Sequence, residues 1–284
     1  VGDRRLVLPG ALFSGQPSEL LVEAPGDGFA LSAARLAERP RASAGDATGE
    51  GRVEEEDGSP REEDQPIPAE LGTVLAEYPR EAWRFSDFEL FAWSAYPQVL
   101  IMDTESYAVQ SRFFKRLAFF VEKQGYAGRL LSDSELAGRH GWNAHNYHAR
   151  DLARFFERAA EQDVELNAYE QRLRELLLHA GVIRETDEGY AAGPGERGER
   201  GGIVSLSRES YPLLRELLLT HEALHGLYYA VPEYRDAADR VWRQLTERER
   251  SFWRTILGGM TYDPDNEYLM RNEFQAYLMQ QPLA

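Results

Sequence analysis

The chain has 284 residues, a formal net charge of −16 and no cysteine. Its length allows one large domain or two smaller ones. The charge argues against nucleic acid or an anionic membrane surface as the main partner, and the lack of thiols excludes disulfide frameworks, thiolate metal sites and cysteine nucleophiles.

Residues 1–39 carry short apolar runs, Leu6-Val7-Leu8 and Leu20-Leu21-Val22, set between Pro and Gly, and predict a small β element. Residues 40–68 are rich in Gly, Ser, Pro and acid, including Glu54, Glu55, Glu56 and Asp57. So few bulky apolar residues cannot offset ordering entropy, so this stretch is expected to be a disordered linker or insertion. Residues 69–284 read as one globular, mostly helical domain with a small sheet, of α+β class. No run of about 18 apolar residues occurs, so no membrane span is expected and the chain should be soluble. No signal-peptide pattern is visible, and a cytoplasmic or an exported location both stay open.

Within the globular part, Val99-Leu100-Ile101-Met102-Asp103 predicts a buried strand feeding a helix over 107–124 with Gly125 as its stop. Ser132-Asp133-Ser134-Glu135 has capping-box spacing, and helical patterns follow over 151–160 and 168–179. Residues 182–192 predict a hairpin after a helix, an arrangement also found in winged-helix regulators, which the acidic charge disfavours. The glycine-rich stretch 193–202 lacks the Lys-Ser/Thr of a phosphate loop and reads as a flexible loop. A strand over 203–207 then leads to a helix over 211–229, with Ser210 as N-cap and Pro212 in its first turn. Two helices are expected next, the second opened by the capping box Thr246-Glu247-Arg248-Glu249, and a last one from about Asp263-Pro264 to Gln280.

The helix over 211–229 contains His221-Glu222-Ala223-Leu224-His225, an HExxH motif. At 3.6 residues per turn, His221 and His225 present their imidazoles on one face, where they can share a metal. Glu222, rotated by about 100°, can reach a water on that metal as general base without ligating it. The flanking run 211–220 is too apolar for an exposed helix, so both histidines are carried inward, where buried imidazoles need partners. A catalytic zinc commonly has three protein ligands and an open position. Two glutamates on the last helix, Glu267 and Glu273, face different ways. Glu273 lies among Leu269, Met270, Ala276 and Tyr277, where a buried carboxylate would need a counter-charge. Glu267, in the polar first turn, suits the helix dipole instead.

HExxH followed, after a helical spacer, by a glutamate on another helix resembles the gluzincin branch of the zincin metallopeptidases, over residues 203–280. Glu273-Phe274-Gln275-Ala276-Tyr277 is similar to the ExxA-D/Y element of prenyl-protein-processing and heat-shock metallopeptidases, whereas the spacer is longer than that of thermolysin. The resemblance implies a zincin-like domain with a zinc ion on His221, His225 and Glu273, Glu222 activating water, and a peptide or protein substrate. It also implies that the strand before the metal helix binds extended substrate, with Ile203, Val204 and Ser205 offering a free edge. Tyr277, four residues after Glu273, is the candidate oxyanion stabiliser, with Tyr228 and Tyr229 as alternatives and plain packing as the competing role for each.

The nine residues from His140 to His148 hold three of the chain's six histidines. They read either as a substrate-contacting loop, with Asn143 and His145 facing the site, or as turn and cap chemistry before the next helix. A catalytically silent zincin-fold binding or scaffolding protein is the alternative to an enzyme, and the intact Glu222 argues against it.

Overall fold

The computed structural model describes residues 4–8, 19–24 and 30–35 as backbone, and residues 64–193 and 201–280. The chain divides into two units, Val1–Pro60 and Arg61–Ala284. In the first, strands β1 (Arg4–Leu8), β2 (Glu19–Ala24) and β3 (Ala30–Arg35) form an antiparallel sheet in the order β1-β2-β3, with Leu6 opposite Val22. The two apolar runs form β1 and β2; β3 is alanine-rich and carries little strand signal. The expected linker falls outside the described residues as far as 63. Its last residues belong to the second unit, where buried Asp64 pairs with Arg172. The loop expected over 193–202 is likewise outside them for 194–200.

The second unit runs β4 (Ile67–Ala69), β5 (Phe88–Trp93), β6 (Val99–Thr104), α1 (Tyr107–Val121), α2 (Asp133–Leu136), β7 (His145–His148), α3 (Ala149–Glu161) and α4 (Ala168–His179). It continues with β8 (Ile183–Thr186), β9 (Gly189–Ala192), β10 (Gly202–Ser207), α5 (Pro212–Ala230), α6 (Pro232–Gln244), α7 (Glu247–Gly259) and α8 (Glu267–Met279). The result is a mixed α/β fold with a small sheet in the order β4-β5-β6-β10-β7 and a separate β8-β9 hairpin. Among the described residues no helix is long and apolar enough to cross a membrane.

Strand alternation sorts the helices into two layers. Leu100 and Met102 of β6, with Tyr147 and Ile203, pack on Phe113, Phe114, Phe155 and Leu173 from α1, α3 and α4. Val99 and Ile101, with Val204 and Leu206, face Leu219 and Ala223 of α5. The central strand is thus covered on both sides, which is why β6 reads as a continuous apolar run rather than an alternating one.

Two features seat α5. At its N-terminal end, buried Asp103 of β6 accepts from Arg215 Nη1 at 2.8 Å and Nη2 at 3.1 Å, and from Arg208 Nε at 2.6 Å. Near its C-terminal end, a Cβ added to Gly226 would stand 2.9 Å from Val99 Cγ1, so only glycine lets the helix approach the sheet this closely.

Several terminal details differ from the sequence expectations. Tyr211, not Ser210, is the N-cap of α5, and its side chain makes no capping bond. The Ser210 hydroxyl is instead 2.6 Å from that of Tyr107, a long-range partner that outcompetes the local cap. The final helix starts at Glu267, later than Asp263-Pro264, because Asn266 Oδ1 accepts from Leu269 N at 3.1 Å and fixes the first turn there. Helix α1 ends at Val121, ahead of Gly125, whose φ of +79° suits the turn that follows.

Candidate metal centre

Helix α5 places His221 and His225 one turn apart with their Nε2 atoms 3.1 Å from each other. Helix α8 packs against it and brings Glu273 to the same point: Oε2 is 3.6 Å from His221 Nε2 and Oε1 is 3.7 Å from His225 Nε2. A tetrahedral shell with bonds of about 2.0–2.2 Å separates its ligand atoms by roughly 3.3–3.6 Å. The two nitrogens lie close to that spacing, each has one carboxylate oxygen of Glu273 near it, and one ligand atom from each of the three residues falls within 4.8 Å of the others, so these residues could hold a metal ion.

The hydrogen bonding of the three side chains points the same way. The Oε1 of Gln280 accepts from His221 Nδ1 at 3.0 Å, which leaves the lone pair on Nε2. The Asn272 carboxamide interacts with the His225 ring and donates to the Tyr229 hydroxyl at 3.2 Å. Glu273 is fully buried, yet neither carboxylate oxygen accepts a hydrogen bond of ordinary geometry among the described residues. An ionised carboxylate so placed costs several kcal/mol unless a cation compensates it.

Protonation follows from burial. Burial holds the His221 pKa below that of a free imidazole and, with His221 beside it, holds His225 well below, so both rings are neutral and able to ligate. Burial pushes Glu273 up to about 8, against a smaller downward pull from the Tyr262 hydroxyl. Glu222 is also raised to about 8 by burial, with His221 opposing and Glu273 adding to the shift. A bound cation would reverse the balance for both acids.

Glu222 is held from the sheet: Asn146 Nδ2 of β7 donates to its Oε2 at 2.9 Å. Asn146 Oδ1 in turn accepts from the Tyr229 hydroxyl. A hydrogen-bonded path thus runs from Glu222 through Asn146 and Tyr229 to Asn272, the neighbour of Glu273. Asn146, Asn272 and Gln280 were not singled out from sequence. Strand alternation over 145–148 was the signal available for Asn146, since the pleat sends Asn146 and His148 toward α5 and His145 and Tyr147 toward α1.

That alternation corrects the expectation for His145. Its ring stacks on Phe114 at 5.1 Å and its Nδ1 pairs with the Tyr147 hydroxyl at 2.9 Å, on the face of the sheet away from Glu222. Asn143 pairs with His140 before the strand begins, and His148 caps α3 by accepting from Arg150 N. Apart from Asn146, this segment does turn, core-packing and cap work.

A second correction concerns β10. Ile203, Val204 and Ser205 pair with Leu100, Ile101 and Met102 on one side and with Tyr147, Asn146 and His145 on the other. Both edges are used, so no substrate strand can add there. The sheet edge beside the metal ligands is that of β7, and it borders a cavity of about 170 Å³ lined also by Glu122, Tyr229 and Asn272.

The other candidates have separate places. Tyr277 packs its ring 4.6 Å from that of His221, with its hydroxyl bonded to Tyr262. Tyr228 donates to Asp239 at 2.7 Å instead. Glu267 accepts from Trp242 Nε1 at 2.6 Å and pairs with Arg254 at 2.9 Å, on the solvent side of α8.

No protein-family model matches this chain, and no curated protein or solved structure is significantly similar to it.

Proposed function

We propose that the chain is a zinc-dependent peptidase of the gluzincin kind, with His221, His225 and Glu273 as ligands and Glu222 as general base. One observation carries this reading: two buried imidazole nitrogens and a buried carboxylate that pairs with no Lys or Arg among the described residues come within 4.8 Å of one another, with a second buried acid, Glu222, next to His221 on α5. Two imidazoles and a carboxylate suit zinc and leave a fourth position for solvent. When bound, the cation supplies Lewis acidity, acidifying water and polarising a carbonyl oxygen. Glu222, oriented by the Asn146 amide, takes a proton from the attacking water and delivers it to the leaving amine. Tyr277, beside His221, is the side chain assigned to the developing oxyanion. An extended peptide enters along β7, through the cavity bordered by Asn146 and Tyr229.

The second reading, a zinc-binding protein of the same fold without turnover, draws support from the burial of all four central residues. Zinc loading followed by exposure to a peptide pool separates the two. Zinc retained with cleavage abolished by Glu222→Gln supports the enzyme; zinc retained without cleavage by the unmodified chain supports the silent protein. A chain that takes up no metal would refute both.

A further inference from the structure

The cavity lined by Asn146 and Tyr229 adjoins a wider, more polar depression of about 390 Å³, and His148, Arg150 and Tyr268 line both. The inner chamber carries Glu122, Asp151 and Arg154, of mixed sign. The outer one carries Arg150, Arg235 and Arg271 against a single acid, Asp239, in a chain whose net charge is −16. Such a local reversal of sign is not what a solvated surface of this composition produces by default.

Asp239 is already engaged at both oxygens, accepting from the Tyr228 hydroxyl at 2.7 Å and from Arg271 Nη1 at 2.8 Å. Its charge is committed to Arg271. Arg235 donates only weakly, at 3.4 Å, to the Tyr228 carbonyl, and Arg150 lies over the Tyr268 ring at 5.5 Å. Among the described residues neither forms an ion pair. Both nevertheless line the depression beside His148, whose pKa burial first, then Arg150 and Arg235, lower to about 4. Burial and Asp151 raise the Tyr268 hydroxyl, and Arg150, Arg235 and Arg271 all pull against them. His148 is therefore neutral near pH 7, and the two uncommitted guanidiniums supply the positive charge.

We infer that this depression is a subsite for a carboxylate carried by the peptide substrate, bound by Arg150 and Arg235 with the Tyr268 hydroxyl beside them. Guanidinium forks match carboxylates in two-point geometry, and a concave wall with an aromatic platform strengthens the pairing over an open surface. The carboxylate comes either from a free peptide C-terminus or from an Asp or Glu side chain. The inference rests on the peptidase reading for its substrate, though not for the site itself.

The test uses the zinc-loaded full chain and a pool of synthetic random-sequence peptides in matched forms: free C-terminus against amide, and Asp/Glu-containing against Asn/Gln-substituted. Cleavage is followed by mass spectrometry. Binding of the same peptides to the zinc-loaded Glu222→Gln variant is followed by fluorescence anisotropy. The subsite predicts a carboxylate preference of about tenfold or more in one pair of arms, which identifies the source, and its fall to under about twofold in the double variant Arg150→Gln, Arg235→Gln. Arg243→Gln, an exposed change elsewhere on α6, should keep the preference and so controls for bulk charge. Zinc content and thermal midpoint confirm that the double variant is folded. Cleavage without any carboxylate preference overturns the subsite and leaves the peptidase intact. Arginine-dependent, carboxylate-selective binding without cleavage supports the subsite and sinks the peptidase.

Discussion

Replacing Asn146 by alanine removes the donor that holds Glu222 Oε2 at 2.9 Å, without touching any proposed metal ligand. A hydrogen bond to a buried charged group contributes about 1.5–3 kcal/mol, and tenfold in rate corresponds to about 1.4 kcal/mol. The expected loss in kcat/KM on a cleaved peptide is therefore roughly 10- to 150-fold. Asn146 also lowers the Glu222 pKa, so its removal should move the acidic limb of the pH–rate profile to higher pH. The sign follows because the base acts in its ionised form and a raised pKa delays ionisation. Folding stability should also fall, by about 1–3 kcal/mol in denaturant titration, because the buried Tyr229 hydroxyl loses Asn146 Oδ1 as its acceptor and keeps only the bond it accepts from Asn272. Zinc content by atomic spectroscopy should match the unmodified chain. An unchanged acidic limb with unchanged kcat/KM would refute the positioning of Glu222 by Asn146, as would zinc loss in step with activity loss.

Three further outcomes follow from the same geometry. Asp103→Ala strands the buried Arg215 guanidinium and should destabilise the fold by about 3–5 kcal/mol in denaturant titration; adding Arg215→Met should recover part of the loss, and no recovery would contradict the pairing. Gly226→Ala forces a Cβ to 2.9 Å from Val99 and should lower stability by about 1–3 kcal/mol despite the better helix former, with relief by Val99→Ala. Zinc binding near pH 7 should release about two protons, one each from Glu273 and Glu222, which burial raises to about 8, while the neutral histidines release none. Apparent affinity should then rise between about pH 6 and 8 and level off above, and calorimetry in buffers of different ionisation enthalpy would detect its absence.

The helical spacing of His221 and His225 and the apolar surroundings of Glu273 were readable because both are local properties of helices. The β6 run and the capping boxes at Ser132 and Thr246 were readable for the same reason. What escaped depends on pairing across the chain. Whether Ile203–Ser205 keep a free edge is decided by a strand more than fifty residues earlier, β7, which occupies it. The phase of β7 decides that Asn146 rather than His145 meets Glu222, and a four-residue strand among turn formers is too short to announce its phase. Ser210 lost its capping role to Tyr107, a partner no local pattern can reveal.

The most direct test of the account is zinc stoichiometry after exhaustive dialysis of the loaded chain, compared across the unmodified protein, Glu273→Gln and Glu267→Gln. One zinc ion per chain should survive in the first and third, while Glu273→Gln should bind at least roughly 100-fold more weakly. Equal retention by the two variants, or a preference for iron over zinc, would contradict a zinc centre built from His221, His225 and Glu273.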